Sequence, residues 1–111
     1  KVLLLGITFK ENCPDIRNSR VIDVIRELND YGCRVDVYDP WADGDEVIRE
    51  YGVALLAECP NEDHRATYNA TVVAVAHDQF KELEYTKFSK EGCVLFDLKG
   101  ILPKVVADDC L

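Results

Sequence analysis

The chain has 111 residues, 48% hydrophobic and 31% charged, which suits one domain with its own buried core and is too apolar for a disordered segment. Asp and Glu total 21 against 13 Lys and Arg, a formal net charge of -8 with no run of basic residues, so nucleic acid is not an expected partner. The longest uncharged apolar stretches, 2–5 and 71–76, are far short of a membrane span, and no heptad pattern persists to make a coiled coil.

Residues 2–5 (Val-Leu-Leu-Leu) form a short, wholly apolar run that stops at Gly6. That pattern predicts a strand buried on both faces. After a polar loop, Val21, Ile22, Val24, Ile25 and Leu28 recur at helical spacing. Asn18 or Ser19 is the natural N-cap and Gly32 sits where a C′ glycine belongs, so a helix is expected over 19–31. Residues 34–38 read as the second strand, stopped by Asp39-Pro40. Asp43 with Glu46 three positions on resembles a capping box, with Val47, Ile48 and Tyr51 as the buried stripe and Gly52 as the stop. A short third strand is expected over 53–56. The stretch 57–69 has a poor apolar period, although Pro60-Asn61 would suit a helix start. Residues 71–76 read as a central strand, 83–90 as a short helix, and 93–96 as another buried strand. The tail, 101–111, has room for one edge strand.

Strands that alternate with helices imply parallel βαβ units with right-handed crossovers. The expected architecture is an α/β three-layer sandwich, Rossmann-like, around a parallel sheet of about five strands, forming a single domain over residues 1–111. The chain holds no Met and opens directly on a strand, which is read as a piece of a longer protein. Five cysteines stand at 13, 33, 59, 93 and 110, with no CxxC pair. Zinc and thioredoxin-type readings fail on that spacing, and free thiols in a reducing compartment such as the cytoplasm are the default.

In such sheets ligands bind beyond the carboxyl ends of the strands. Five segments fall on that edge: 6–17, 39–43, the loop after Leu56, His77-Asp78, and 97–100. The first is longer than a simple strand-to-helix connection requires. Its only cations, Lys10 and Arg17, lie close to a helix N-terminus, where free N–H groups and the helix dipole favour an anion. In a chain this acidic they mark a local electropositive spot suited to phosphate, with Asp15 placed to hold the Arg17 guanidinium. The plainer reading pairs both cations with Glu11 and Asp15. A GxGxxG signature is absent, since Gly6 is the only glycine before Gly32. This domain is therefore not expected to grip NAD by its diphosphate.

Gly6-x-x-Phe9-Lys10 followed by Asp15-x-Arg17-x-Ser19 resembles the carboxyl-terminal, UDP-binding domain of the UDP-glucose/GDP-mannose dehydrogenase family. Further matches are Gly32-x-x-Val35-x-x-Tyr38-Asp39-Pro40 and Phe96-Asp97-x-Lys99-Gly100, so the resemblance runs from residue 1 to about residue 103. Cys13-Pro14, where UDP-glucose enzymes usually carry Thr-Asp, looks most like the branch that oxidises UDP-N-acetylhexosamines for bacterial surface polysaccharides. The resemblance implies oxidation of the C6 hydroxyl of a nucleotide sugar to a carboxylate with two NAD⁺. It also implies a catalytic cysteine in the amino-terminal portion, outside this chain, and a homodimer. On the same resemblance, Phe9 and Lys10 match the substrate-contacting pair. Arg17 matches the arginine that reaches NAD across the cleft, with Asp15 beside it. Lys99 lies near a substrate-binding basic position, but Gly100 stands where some relatives have a second arginine.

Other residues have both a functional and a plain reading. Cys13 lies in the key loop, but the only histidines, 64 and 77, are distant in sequence, so a bystander thiol is expected. Cys33 and Cys93 are expected in the core. His77-Asp78 is placed either to line a uridine pocket or to stabilise its loop, and His64 is expected at the surface. Asp39 is placed to bind a ribose hydroxyl or to stabilise a turn. Trp41 is placed to cover a base or a neighbouring subunit, or to pack. A phosphoacceptor signalling module would need acids after the first strand, where this chain has Gly6-Ile7-Thr8. A non-catalytic nucleotide-binding or oligomerisation domain stays open as the alternative.

Overall fold

The computed structural model describes residues 1–17, 19–57, 68–82, 89–98 and 109–110, with 89–93 and 109–110 described as backbone alone. The first strand, β1 (Val2–Leu5), is buried along its whole length. It pairs in parallel with β2 (Val35–Tyr38) on one side and β3 (Tyr68–Val73) on the other. A strand flanked on both edges and covered on both faces has no water-facing position, which is why its sequence is apolar without alternation. Beyond β3 the sheet continues in parallel through β4 (Ser89–Asp97) to β5 (Asp109–Cys110). The order is β2-β1-β3-β4-β5.

Register places Leu5 opposite Tyr38 and Val73, Val73 opposite Asp97, and Asp97 opposite Cys110. The carboxyl ends of the strands therefore finish at one level. Leu55 forms a single parallel bridge to Val37, outside β2. With that bridge counted as a rudimentary strand, the sheet follows the 3-2-1-4-5-6 order of dinucleotide-binding folds. The chain steps from β1 out to β2 and returns to the other side of β1 for β3, so the direction of winding reverses between β1 and β3.

Alternate residues of β1 feed two cores. Leu3 and Leu5 pack with Tyr68, Val73, Phe80 and Leu95. Leu4 packs on the opposite face with Val37 and Ala74, with Ile22 and Ile25 of helix α1 (Val21–Asp30), and with Val47 of helix α2 (Gly44–Tyr51). Both helices thus cover one face. Among the described residues, the 3₁₀ turn Asp78–Glu82 contributes to the other through Phe80. This is the three-layer α/β arrangement that the alternation of strands and helices predicts. No helix among the described residues is long and apolar enough to cross a membrane.

The helix ends follow local chemistry. Asp43 Oδ1 accepts from the N–H groups of Asp45 and Glu46 at the start of α2, and Gly52 closes that helix at φ 70°. Gly32 follows α1 at φ 83°, as its position suggested. At the other end of α1 the expectation fails. The helix begins at Val21 with Arg20 as its N-cap, and among the described residues no side chain caps it. Ser19 Oγ has no hydrogen-bond partner.

Other differences have tertiary causes. β3 begins three residues earlier than the apolar run 71–76, through the pairing of Tyr68 with Ser89 of β4, and it stops at Val73, where its pairing with Leu5 of β1 ends. Residues 53–56 reduce to the bridge at Leu55. Ile48 is half exposed and Cys33 only partly buried, so neither is a core residue. The helix expected over 83–90 falls largely outside the described residues, and residues 89–90 already belong to β4. The helix start at Pro60-Asn61, the surface position of His64 and the side chain of Cys93 also lie outside the description.

Candidate functional site

The reversal of winding between β1 and β3 opens a crevice at the carboxyl edge of the sheet, the place where open α/β sheets bind their ligands. Gly6 turns the chain out of β1 there at φ 100°. A Cβ on Gly6 would stand 2.6 Å from Val75 Cβ, so only glycine permits this approach.

Residues 7–15 then form a loop tied to the sheet at several points. Asp39, just beyond β2, is the first. Its Oδ2 accepts from the N–H groups of Ile7 and Thr8 at 2.8 and 3.2 Å, and its Oδ1 accepts from those of Trp41 and Ala42 at 2.7 and 3.2 Å. His77, beyond β3, completes the arrangement. Its Nε2 lies 2.9 Å from Asp39 Oδ2 and 3.0 Å from Thr8 Oγ1, and its Nδ1 accepts the N–H of Asn12 at 2.8 Å. Both side chains are 0% exposed. Burial opposes ionisation of Asp39. The hydrogen bonds from His77, Ile7 and Trp41 outweigh it and hold the carboxyl below its ordinary range.

Further ties shape the loop. Thr8 Oγ1 donates to the carbonyl of Lys10, and Phe9 N–H donates to the carbonyl of Asp15. Asn12 holds a left-handed backbone at φ 54°, a conformation asparagine tolerates better than most residues, and its Oδ1 accepts the N–H of Asp78. Cys13 is a partly buried free thiol.

Above this base stand the charged residues. Arg17 makes a two-pronged contact with Asp15, Nε to Oδ1 at 3.0 Å and Nη2 to Oδ2 at 3.1 Å. That contact, with the Arg17 N–H also on Oδ1, holds the Asp15 carboxyl below its usual value and raises Arg17 in turn. Lys10 and Phe9 are exposed, and Lys10 has no ion pair among the described residues. A cleft of about 340 Å³ opens between Phe9, Lys10, Glu11, Val75 and the start of α1 at Ser19–Val21, so that Lys10 and Arg20 outnumber its one acid. The N-terminal N–H groups of α1 and the Lys10 ammonium make that cleft receptive to an anion. A larger cavity of about 520 Å³ lies beyond β2 between Pro40, Ile48 and Leu55, but no Lys or Arg lines it and Asp39 and Asp45 do. A diphosphate is therefore better matched to the smaller cleft. Among the described residues, no cluster of His, Cys, Asp or Glu is placed to hold a metal ion.

The sequence profile of the UDP-glucose/GDP-mannose dehydrogenase family, UDP binding domain, matches residues 3–104. The chain belongs to this family. It is 50% identical over 110 residues to the UDP-N-acetyl-D-glucosamine 6-dehydrogenase of Salmonella typhi, covering 96% of this chain and 25% of that protein. It is 42% identical to the enzyme of the same name from Pseudomonas aeruginosa, over 97% of this chain and 25% of that one. Among solved structures, a UDP-glucose dehydrogenase from Pyrobaculum islandicum superposes with a TM-score of 0.76 at 28% identity, over 98% of this chain and 24% of that one. The chain thus spans about a quarter of the length of these relatives.

Within this UDP-binding domain, Phe9 and Lys10 line the smaller cleft, whereas Asp15 and Arg17 lie on the same stretch between β1 and α1 but not among its lining residues. Lys99 lies outside the described residues. Asp39 takes the turn-stabilising part rather than the ribose-binding one, because both of its oxygens are occupied by N–H donors. His77 is fully buried and lines neither of these two cavities; its partner is Asp39, not the adjacent Asp78. Trp41 packs its ring 6.2 Å from His77 and donates through Nε1 to Gln79. Thr8 and Asn12 were not singled out by the sequence. The one available signal was a non-glycine turn residue, Asn12, inside a long loop.

Proposed function

We propose that this chain is the UDP-sugar-binding domain of an NAD-dependent UDP-sugar 6-dehydrogenase, acting on a UDP-N-acetylhexosamine for polysaccharide synthesis. The observation that carries the reading is the anion-receptive cleft at the β1/β3 reversal, walled by Lys10 and the open start of α1. The 50% identity to a UDP-N-acetyl-D-glucosamine 6-dehydrogenase supports the choice of sugar.

On this reading each residue has a positioning task. The Lys10 ammonium is a compact charge suited to a diphosphate or a sugar hydroxyl, and the exposed ring of Phe9 offers a flat apolar surface beside it. Lys99 is assigned to the same substrate. Arg17, steadied by Asp15, presents a planar fork to the phosphates of NAD across the cleft. The turn after β1 has one glycine where a dinucleotide-gripping turn has three, so NAD is held mainly by the remainder of the protein. NAD⁺ supplies the hydride acceptor for converting a C6 hydroxyl to a carboxylate. The residues of this domain transfer no hydride; they orient the reactants, an effect worth several kcal/mol of barrier. The full protein is assigned to the cytoplasm as a homodimer.

Calorimetric titration of the full-length protein with UDP, ATP and NAD tests the reading. Selective binding of UDP over ATP, with NAD-dependent turnover of a UDP-N-acetylhexosamine, is the expected result. Equal affinity for UDP and ATP would overturn the substrate assignment. UDP binding without any turnover would favour a non-catalytic nucleotide-binding domain.

A further inference from the structure

Lys10 stands on a loop that is attached midway along its length, among the described residues, to a buried imidazole. His77 Nδ1 accepts the backbone N–H of Asn12, so that nitrogen carries no proton and the ring proton sits on Nε2. Nε2 in turn faces Asp39 Oδ2 and Thr8 Oγ1, both acceptors for it. Asp39 thereby selects the tautomer that leaves Nδ1 bare, as a carboxylate behind an imidazole does in other functional sites. The ring lies between Phe80, edge-on at 5.3 Å, and Trp41 at 6.2 Å.

We propose that His77, set by Asp39, is a positioning residue. Its bare Nδ1 fixes the left-handed turn at Asn12 and so holds Lys10 over the cleft. The consequence for ligand affinity rests on the function proposed above; the mechanical part does not. Three observations converge on it. Asn12 needs support because φ 54° is unfavourable for a residue with a side chain. Its N–H goes to His77, and its side chain takes the N–H of Asp78, the next residue along. Thr8, which bonds the Lys10 carbonyl, touches the same imidazole. The loop therefore receives its shape from the exit of β3, and the hub that passes it on is one side chain.

Two measurements on the full-length protein test this. Amide hydrogen exchange in wild type and His77→Phe reads the pinning directly. The phenyl ring keeps the packing against Phe80 and Trp41 but offers Asn12 no acceptor. Exchange at Asn12 and its neighbours in 8–15 is expected to rise about tenfold or more, with the Kd for UDP rising by about tenfold and that for NAD unchanged. His77→Asn places an oxygen near the Nδ1 position, and is expected to restore much of the protection and affinity. Unchanged exchange in 8–15 for a folded His77→Phe would overturn the proposal. Raised exchange beside a wild type that binds no UDP would support the pinning and defeat the functional reading instead. Should neither variant fold, the nitrogen-15 imidazole spectrum of wild type decides: a bare Nδ1 with protonated Nε2 is expected, and a proton on Nδ1 overturns the assignment.

Discussion

Gly6 and Val75 approach so closely that no side chain fits between them: a Cβ on the glycine would meet Val75 Cβ at 2.6 Å and its backbone nitrogen at 2.9 Å. This contact joins the exits of β1 and β3 where the crevice opens. Gly6→Ala would combine an unfavourable φ of 100° with an overlap that backbone atoms must relieve. A loss of about 3 kcal/mol or more is expected in urea unfolding, with the midpoint shifted and the slope unchanged.

Asp39 accepts four backbone N–H groups and faces the His77 ring. Replacing it with Ala leaves those donors buried without partners, and a loss of about 3 kcal/mol or more is expected. Its ionisation also ties stability to pH. Because the folded carboxyl titrates below its ordinary value, its contribution is fully present above about pH 4, the unfolded reference. It is lost as pH falls through the lower folded value. Thermal unfolding between pH 3 and 6 should show wild-type stability falling below about pH 4, with a shallower fall in Asp39→Asn.

Lys10→Ala in the full-length protein is expected to raise the Kd for UDP by roughly ten- to a hundredfold, the loss of one charge-assisted hydrogen bond of about 1.5–3 kcal/mol. Because Lys10 is exposed, the melting temperature should not move. Calorimetry with UDP checks the first statement, and unchanged affinity would remove Lys10 from the phosphate site.

Arg17→Ala is expected to act on NAD, raising its KM about tenfold while leaving the Kd for UDP within about twofold. Steady-state kinetics with each substrate varied in turn reads the split. An effect confined to the sugar nucleotide would exchange the roles assigned to the two cations.

Asp43→Ala removes the cap on two N–H groups of α2. About 1 kcal/mol of stability should be lost, with no change in affinity for UDP.

Where the chain's signals are local, the sequence alone was informative. The apolar run at Val2–Leu5, the glycines at 32 and 52 and the aspartate at 43 each carry a reason within a few residues, and each is found in the expected role. The loop bearing Lys10, Asp15 and Arg17 was legible because its charges lie within eight positions of one another. What escaped was set by partners far along the chain. β3 takes its start from Ser89 of β4 and its end from Leu5 of β1, neither of them near it in sequence. Asp39 and His77 are 38 positions apart, and nothing near either one announces that they will share a buried hydrogen bond. The unsupported start of α1 was missed for a related reason: Ser19 has the chemistry of a cap, but the loop delivers it without a partner.

The two cations of the first loop are moored separately. Lys10 belongs to the half held by the imidazole at the β3 exit, whereas Arg17 is clasped by its own neighbour, Asp15, on the approach to α1. Among the described residues, one backbone hydrogen bond, from Phe9 to Asp15, links the halves. On the function proposed above, such a division lets the half carrying Lys10 be reshaped by substitution while the half carrying Arg17, beside the helix, keeps its own hold.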